Sequence, residues 1–218
     1  MTKKKLPVRF TGQHFTIDKV LIKDAIKESN INQHDTVLDI GAGKGFLTVH
    51  LLKNVDKVIA IENDVALSQH LSKKFINSQN VQVVRCDFRN FVVPKVPFKV
   101  VSNIPFSITS DIFKILMFEN VKYFLGGSII LQSEPAKKLF SSKVYNPLTV
   151  LYHTYYDLKF LYEINPESFL PPPTVKSALL RIERKQISLD IGLKVKYLNF
   201  VSYMLQKPDL TVKTAMKS

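Results

Sequence analysis

From Thr36 onward, short apolar runs alternate with stretches of helical character, and no other feature restricts the fold as much. Residues 37–40, 58–61, 81–84, 98–101 and 128–131 read as strands, the last behind Gly126-Gly127. Residues 45–53, 64–76 and 108–118 read as the helices between them. Strands this short, separated by helices, belong to βαβ units and a parallel sheet. Towards the other end, residues 175–182 form a β-branched run. With the later part of the Tyr-rich stretch 152–164, that run predicts an antiparallel hairpin at the sheet edge.

The flanks differ in character. Residues 3–9 form a basic arm, and residues 10–15 a polar-aromatic segment. Thr16 is placed to cap a helix over 17–29, with Val20, Leu21, Ala25 and Ile26 near one face. A short helix is expected over 135–140, a loop over 143–147 and a stiff connector at 171–173. After Lys185 the composition shifts, and Leu198, Val201, Met204 and Leu205 make a helical stripe within 193–205.

A formal net charge of +13 attracts polyanions, of which nucleic acid is the commonest large one. No apolar run reaches the length of a membrane span, and no signal-peptide pattern follows the early lysines. One cysteine, Cys86, excludes an internal disulfide framework and fits a reducing compartment, so a cytoplasmic protein is expected. The five histidines are scattered and give no metal-ligand spacing, so no metal is expected.

Two constellations carry chemistry. The first is Asp39-Ile40-Gly41-Ala42-Gly43-Lys44-Gly45, between a strand and its helix, where Gly41 and Gly43 let the backbone approach a ligand. Glu62 ends the next strand and can accept from both ribose hydroxyls, which disfavours a phosphorylated ribose. Asp87 follows the third strand and can accept from an adenine amine. Together they describe an adenosine pocket, for NAD or for S-adenosyl-L-methionine.

The second constellation, Asn103-Ile104-Pro105-Phe106, separates these ligands. The exocyclic amine of adenine is a poor nucleophile, because its lone pair is delocalised into the ring. The Asn103 side-chain oxygen and the Ile104 carbonyl can accept its two protons as it pyramidalises. Pro105, with fixed φ and no N–H, holds that carbonyl in place. Phe106 offers a face for a flipped base. Nothing resembles a hydride-transfer site.

At these residues the sequence resembles the Erm-type ribosomal RNA adenine-N6 methyltransferases of macrolide–lincosamide–streptogramin B resistance. The resemblance rests on Gly12 to Phe15, the loop from Asp39 to Gly45, Glu62, Cys86 to Phe88, Asn103 to Asp111 and Phe169 to Ser177. It implies a Rossmann-like class I methyltransferase with a mostly parallel seven-stranded sheet. It implies S-adenosyl-L-methionine as cofactor, with Gln13, His14 and Thr16 in the donor site. The substrate implied is one adenine in the peptidyl-transferase loop of large-subunit rRNA, mono- or dimethylated before full ribosome assembly. Residues 1–186 are expected to form the methyltransferase domain. Residues 187–218 are expected to begin a small helical RNA-binding domain that continues further in the family. A monomer with no membrane partner is expected. The alternatives are a KsgA-like small-subunit rRNA dimethyltransferase and an RNA-binding protein without catalysis. Phe106 departs from the tyrosine found in many relatives.

Overall fold

The computed structural model describes residues 14–141, 146–186, 190–207 and 211–215. The predicted basic arm, Gly12, Gln13 and most of the 143–147 loop lie outside them. A short strand β1 (Phe15–Thr16) and helix α1 (Lys19–Glu28) lead into a repeated strand-helix pattern. It comprises β2 (Thr36–Ile40), α2 (Phe46–Leu51), β3 (Lys57–Glu62), α3 (Val65–Lys74), β4 (Val81–Arg85), β5 (Phe98–Asn103), α4 (Thr109–Lys114) and β6 (Phe124–Gln132). Helices α5 (Ser133–Lys138) and α6 (Pro147–Tyr155) follow, then β7 (Tyr156–Ile164), β8 (Phe169–Leu170) and β9 (Ser177–Arg184). Helices α7 (Lys194–Leu205) and α8 (Val212–Ala215) come last.

The main sheet has the order β4-β3-β2-β5-β6-β9-β7. Its first five strands are parallel, and β9 runs antiparallel to both β6 and β7. The α/β class and the edge hairpin therefore agree with the sequence expectation. Alternate residues of β2 enter different cores, as required of a strand covered on both faces. Val37 packs with Leu21, Ala25 and Leu51 from α1 and α2. Leu38 and Ile40 pack with Ile112 from α4 and Leu151 from α6.

The chain builds outward from β2 to β4, then returns to lay β5 against the other side of β2. Ligands in open α/β sheets bind where the order reverses in this way. Here β2 and β5 pair only through Val37↔Lys99 and Leu38↔Val100. Beyond that the strands part, and Ser102 Oγ bridges the gap. It donates to the Ile40 carbonyl (2.6 Å) and accepts from the Ile40 N–H (3.0 Å).

Four expectations need correction. The cap of α1 is Asp18 rather than Thr16, with the Val20 and Leu21 amides donating to its Oδ1. Thr16 is instead drawn into β1, which pairs with β8. The strand expected at 128–131 starts at Phe124 and runs through the two glycines. A Cβ on Gly127 would lie 2.0 Å from the Val100 carbonyl oxygen, so glycine here allows close strand approach rather than a break. Residues 147–155 form a helix where the sequence predicts none. Pro147 occupies its first turn and Asn146 caps it by accepting from the Leu148 N–H (2.9 Å). The short helix expected over 135–140 begins two residues earlier, at Ser133.

Helix α7 rests on α6 and on the segment after α4. Tyr197 Oη lies 3.2 Å from Thr154 Oγ1, and Lys194 Nζ donates to the Phe118 carbonyl (2.6 Å). Among the described residues no helix is long and apolar enough to cross a membrane.

Candidate active site

The parting of β2 and β5 opens a cavity of about 410 Å³ at the carboxyl ends of the parallel strands. Nine predicted residues line it: His14, Thr16, Gly41, Gly43, Glu62, Asn103, Ile104, Pro105 and Phe106. Gln13 lies outside the described residues. Asp87 is absent from the wall. It caps a 3-10 turn, and its carboxylate accepts from Arg89 Nε and Nη2, the latter at 2.7 Å. That ion pair holds the Asp87 carboxyl below its usual range.

The glycine loop is shaped by what crosses it. Gly43 sits at φ 58°. A Cβ there would lie 2.7 Å from Phe15 Cε1, so glycine is required both by the turn and by the ring packed on it. Lys44 Nζ lies 4.9 Å from the centroid of the same Phe15 ring. Pro105 presses on the loop from the opposite strand, since a Cβ on Gly41 would lie 2.8 Å from its Cγ.

Glu62 is buried and holds the loop. The Gly43 N–H donates to its Oε2 (2.8 Å) and the Asp64 N–H to its Oε1 (2.9 Å). Each carboxylate oxygen keeps further acceptor capacity. Beside the ligand role its position at a strand end implies, Glu62 thus has a structural one that the sequence does not signal.

Asn103 ends β5. Its Nδ2 donates to the His14 carbonyl (2.7 Å), which fixes the amide orientation. Its Oδ1 is buried and accepts no hydrogen bond among the described residues. Thr16 Oγ1 is likewise buried without a partner among them. Unpaired buried polar atoms are costly, and two on one cavity wall indicate a ligand. His14 is itself fixed: its Nδ1 bonds to the Pro171 carbonyl oxygen (2.8 Å), and its ring stacks on Phe106 with centroids 6.1 Å apart. Phe15, of the Gly12 to Phe15 segment, also lines the cavity, as do Phe46 and Asp64, which were not anticipated. The aromatic run beside His14 was the available signal for Phe15.

Asp39 lies beneath the loop, 2% exposed, and accepts from Thr48 Oγ1 (2.7 Å). Burial pushes its carboxyl up to about 7, the Glu62 charge adding to the rise. The folded state therefore binds an extra proton between the unfolded value of about 3.9 and about 7. Its contribution to stability is fully present below about 4 and declines as pH rises to about 7, by at most ~1.4 kcal/mol per pH unit. Asp39→Asn is expected to remove that slope, measured as urea unfolding free energy across the window. A variant with the wild-type slope would place the proton elsewhere.

The profile of the ribosomal RNA adenine dimethylase family matches residues 6–218. The chain belongs to that family. The rRNA adenine N-6-methyltransferase of Bacteroides fragilis is 73% identical over 218 residues, which is 100% of this chain and 82% of that one. Ribosomal RNA small subunit methyltransferase A of Clostridium botulinum is 33% identical, over 79% of this chain and 66% of its own length. Among solved structures, the 23S rRNA methyltransferase ErmE superposes with a TM-score of 0.80 at 25% identity, covering 93% of this chain and 83% of that one. As a member of the rRNA adenine dimethylases, the chain is an S-adenosyl-L-methionine-dependent enzyme acting on ribosomal RNA. The NAD reading is thereby set aside.

The cavity fits such a donor on its own evidence. The loop at Gly41 and Gly43 leaves no room for side chains. Glu62 stands at the end of β3, and Thr16 Oγ1 is a polar atom in want of a partner.

Proposed function

We propose that this chain methylates the N6 amine of one adenine in large-subunit 23S rRNA, and so confers macrolide–lincosamide–streptogramin B resistance. The uncommitted Asn103 Oδ1, on a cavity wall shared with Phe106, carries the chemical part of this reading. The likeness to the 23S rRNA methyltransferase ErmE supports the choice of subunit.

Bound S-adenosyl-L-methionine supplies an electrophilic methyl group. Glu62 would hold its ribose hydroxyls, while the backbone of Gly41 and Gly43 and the Thr16 hydroxyl would contact its amino-acid part. Asn103 Oδ1 and the Ile104 carbonyl accept the protons of the target amine, which draws the nitrogen lone pair out of conjugation. Pro105, wedged on Gly41, keeps that segment from rotating. No strong base is needed, because the methylated nitrogen is positively charged and releases its proton readily. One side of Phe106 carries His14, which leaves the other for the flipped base.

Primer extension on both ribosomal RNAs from producing cells tests the reading. One stop in the peptidyl-transferase loop, with raised macrolide tolerance, is expected. Methylation confined to small-subunit rRNA would instead support the small-subunit alternative. Unmodified RNA would support binding without catalysis.

Phe106 has no hydroxyl, so its role is the ring face and bulk. Transfer rate is expected to fall in the order Phe ≈ Tyr > Leu > Ala, with Ala about five- to two-hundredfold down. Donor affinity should hold throughout. Loss of donor binding in Phe106→Ala would show that the ring supports the cavity rather than the base.

A further inference from the structure

A second cavity, of about 490 Å³, lies at the opposite end of the sheet. Lys99 at the start of β5 contributes to its wall, as do Arg181, Glu183 and Arg184 of β9, Lys185 and Tyr155. Four cations on one wall invite the question of which are already neutralised. Lys99 pairs with Asp35 (2.9 Å) and Arg181 with Glu183 (2.6 Å). Arg184 and Lys185 make no ion pair among the described residues. Each is held by a neutral carbonyl instead: Arg184 Nη1 donates to Lys122 O (2.7 Å), and Lys185 Nζ to His153 O (2.8 Å). Both cations are thereby oriented without losing their charge.

The second observation is independent of charge. Tyr155 is 1% exposed, and its hydroxyl has no hydrogen-bond partner among the described residues. Burial, with the nearby Asp190 charge, raises its pKa, so the group remains a proton donor. Asp190 is outside the wall, and its Oδ1 accepts from the Gly192 N–H. With Asp35, Glu183 and Asp190 counted against the four cations, the surroundings remain positive. An unpaired buried hydroxyl on the same cavity wall as two unbalanced cations matches a ligand that is anionic and rich in acceptors.

We propose that this cavity binds a phosphate group, with Arg184 and Lys185 supplying charge and Tyr155 donating a hydrogen bond. Nothing in the methyl-transfer chemistry uses these residues. The phosphate could belong to the RNA backbone or be free in solution. The backbone source is geometrically reasonable. Lys99 and Asn103 lie on the same strand, about 13 Å apart at ~3.3 Å per residue, so an RNA folding around the sheet could touch both ends.

The test uses the whole chain in two arms. In the first, binding of an rRNA fragment carrying the target adenine is measured by fluorescence anisotropy against salt. In the second, thermal stability is measured in inorganic phosphate against chloride at matched ionic strength. Tyr155→Phe deletes only the hydroxyl, and Arg184→Gln/Lys185→Gln deletes only charge. Calorimetric affinity for S-adenosyl-L-methionine reports that each variant keeps its fold.

If the source is RNA, Tyr155→Phe is expected to weaken RNA binding about tenfold. The double variant should also reduce the log–log salt slope by about one. If the source is free phosphate, RNA binding is unchanged and the stabilisation by inorganic phosphate disappears in Tyr155→Phe. If Tyr155→Phe matches wild type in both arms, the proposal is wrong. The RNA arm rests on the proposed rRNA substrate and the phosphate arm does not. A protein that fails to methylate RNA can still pass the second arm.

Discussion

Asn103→Ala is expected to lower kcat for methyl transfer by about a hundred- to a thousandfold, the usual cost of removing one fixed polar contact to developing charge. The side chain has two distinct tasks. Its Nδ2 is committed to the His14 carbonyl, while its Oδ1 is the uncommitted acceptor. Alanine removes both, so some slackening of the His14 wall is expected, seen as a several-fold rise in the donor dissociation constant. Asn103→Asp separates the tasks. It keeps an acceptor, but a carboxylate cannot donate to the His14 carbonyl and would be repelled by it. The aspartate variant should therefore be nearly as slow as alanine. Single-turnover transfer at saturating donor measures the effect. A near wild-type rate for the alanine variant would remove Asn103 from the chemistry, and one for the aspartate variant alone would show that the His14 contact is dispensable.

The second large effect is expected at Glu62. A ribose contact alone suggests a loss of about 1.5–3 kcal/mol, or tenfold to a hundredfold in donor affinity. The structure raises this figure, because the same carboxylate accepts from the Gly43 and Asp64 amides. Glu62→Ala leaves both amides without that partner and loosens the turn on which the donor lies. A loss on the order of a thousandfold in donor affinity is expected, with a fall in thermal stability. Glu62→Gln retains one acceptor oxygen and should lie between. RNA affinity should change little in either variant. Calorimetry reads the donor term, and an unchanged dissociation constant would move the ribose contact to another residue.

What could be read in the sequence, and what could not, follows the range of the interactions. The glycine loop, Glu62 and the Asn103–Phe106 segment all lie at strand ends, and strand ends follow from local apolar pattern. They meet because parallel strands place all their carboxyl ends on one side. Asp87 satisfies the same rule yet does not line the cavity. Arg89, two residues further on, claims the carboxylate, a competition that strand-end logic does not consider. Thr16 looked like a helix cap because its partner strand β8 is remote in sequence. Helix α6 was hidden by Thr149, Val150, Tyr152, Thr154 and Tyr155, which favour strands intrinsically. Burial of Leu151, Tyr152 and Tyr155 against the core overrides that preference. The doubled role of Glu62 was not legible, since backbone donors carry no sequence signature.

The bond between His14 and Pro171 spans 157 residues. During synthesis at ~5–20 residues per second, the early partner waits about 8–30 s for the late one to be made. The five parallel strands that carry the glycine loop and Asn103 are all synthesised before then, although β9 is not. A nascent chain would thus hold a floor and a back wall for its donor while the front remains unlatched. The latch between His14 and the segment around Pro171 can close only when that late segment emerges.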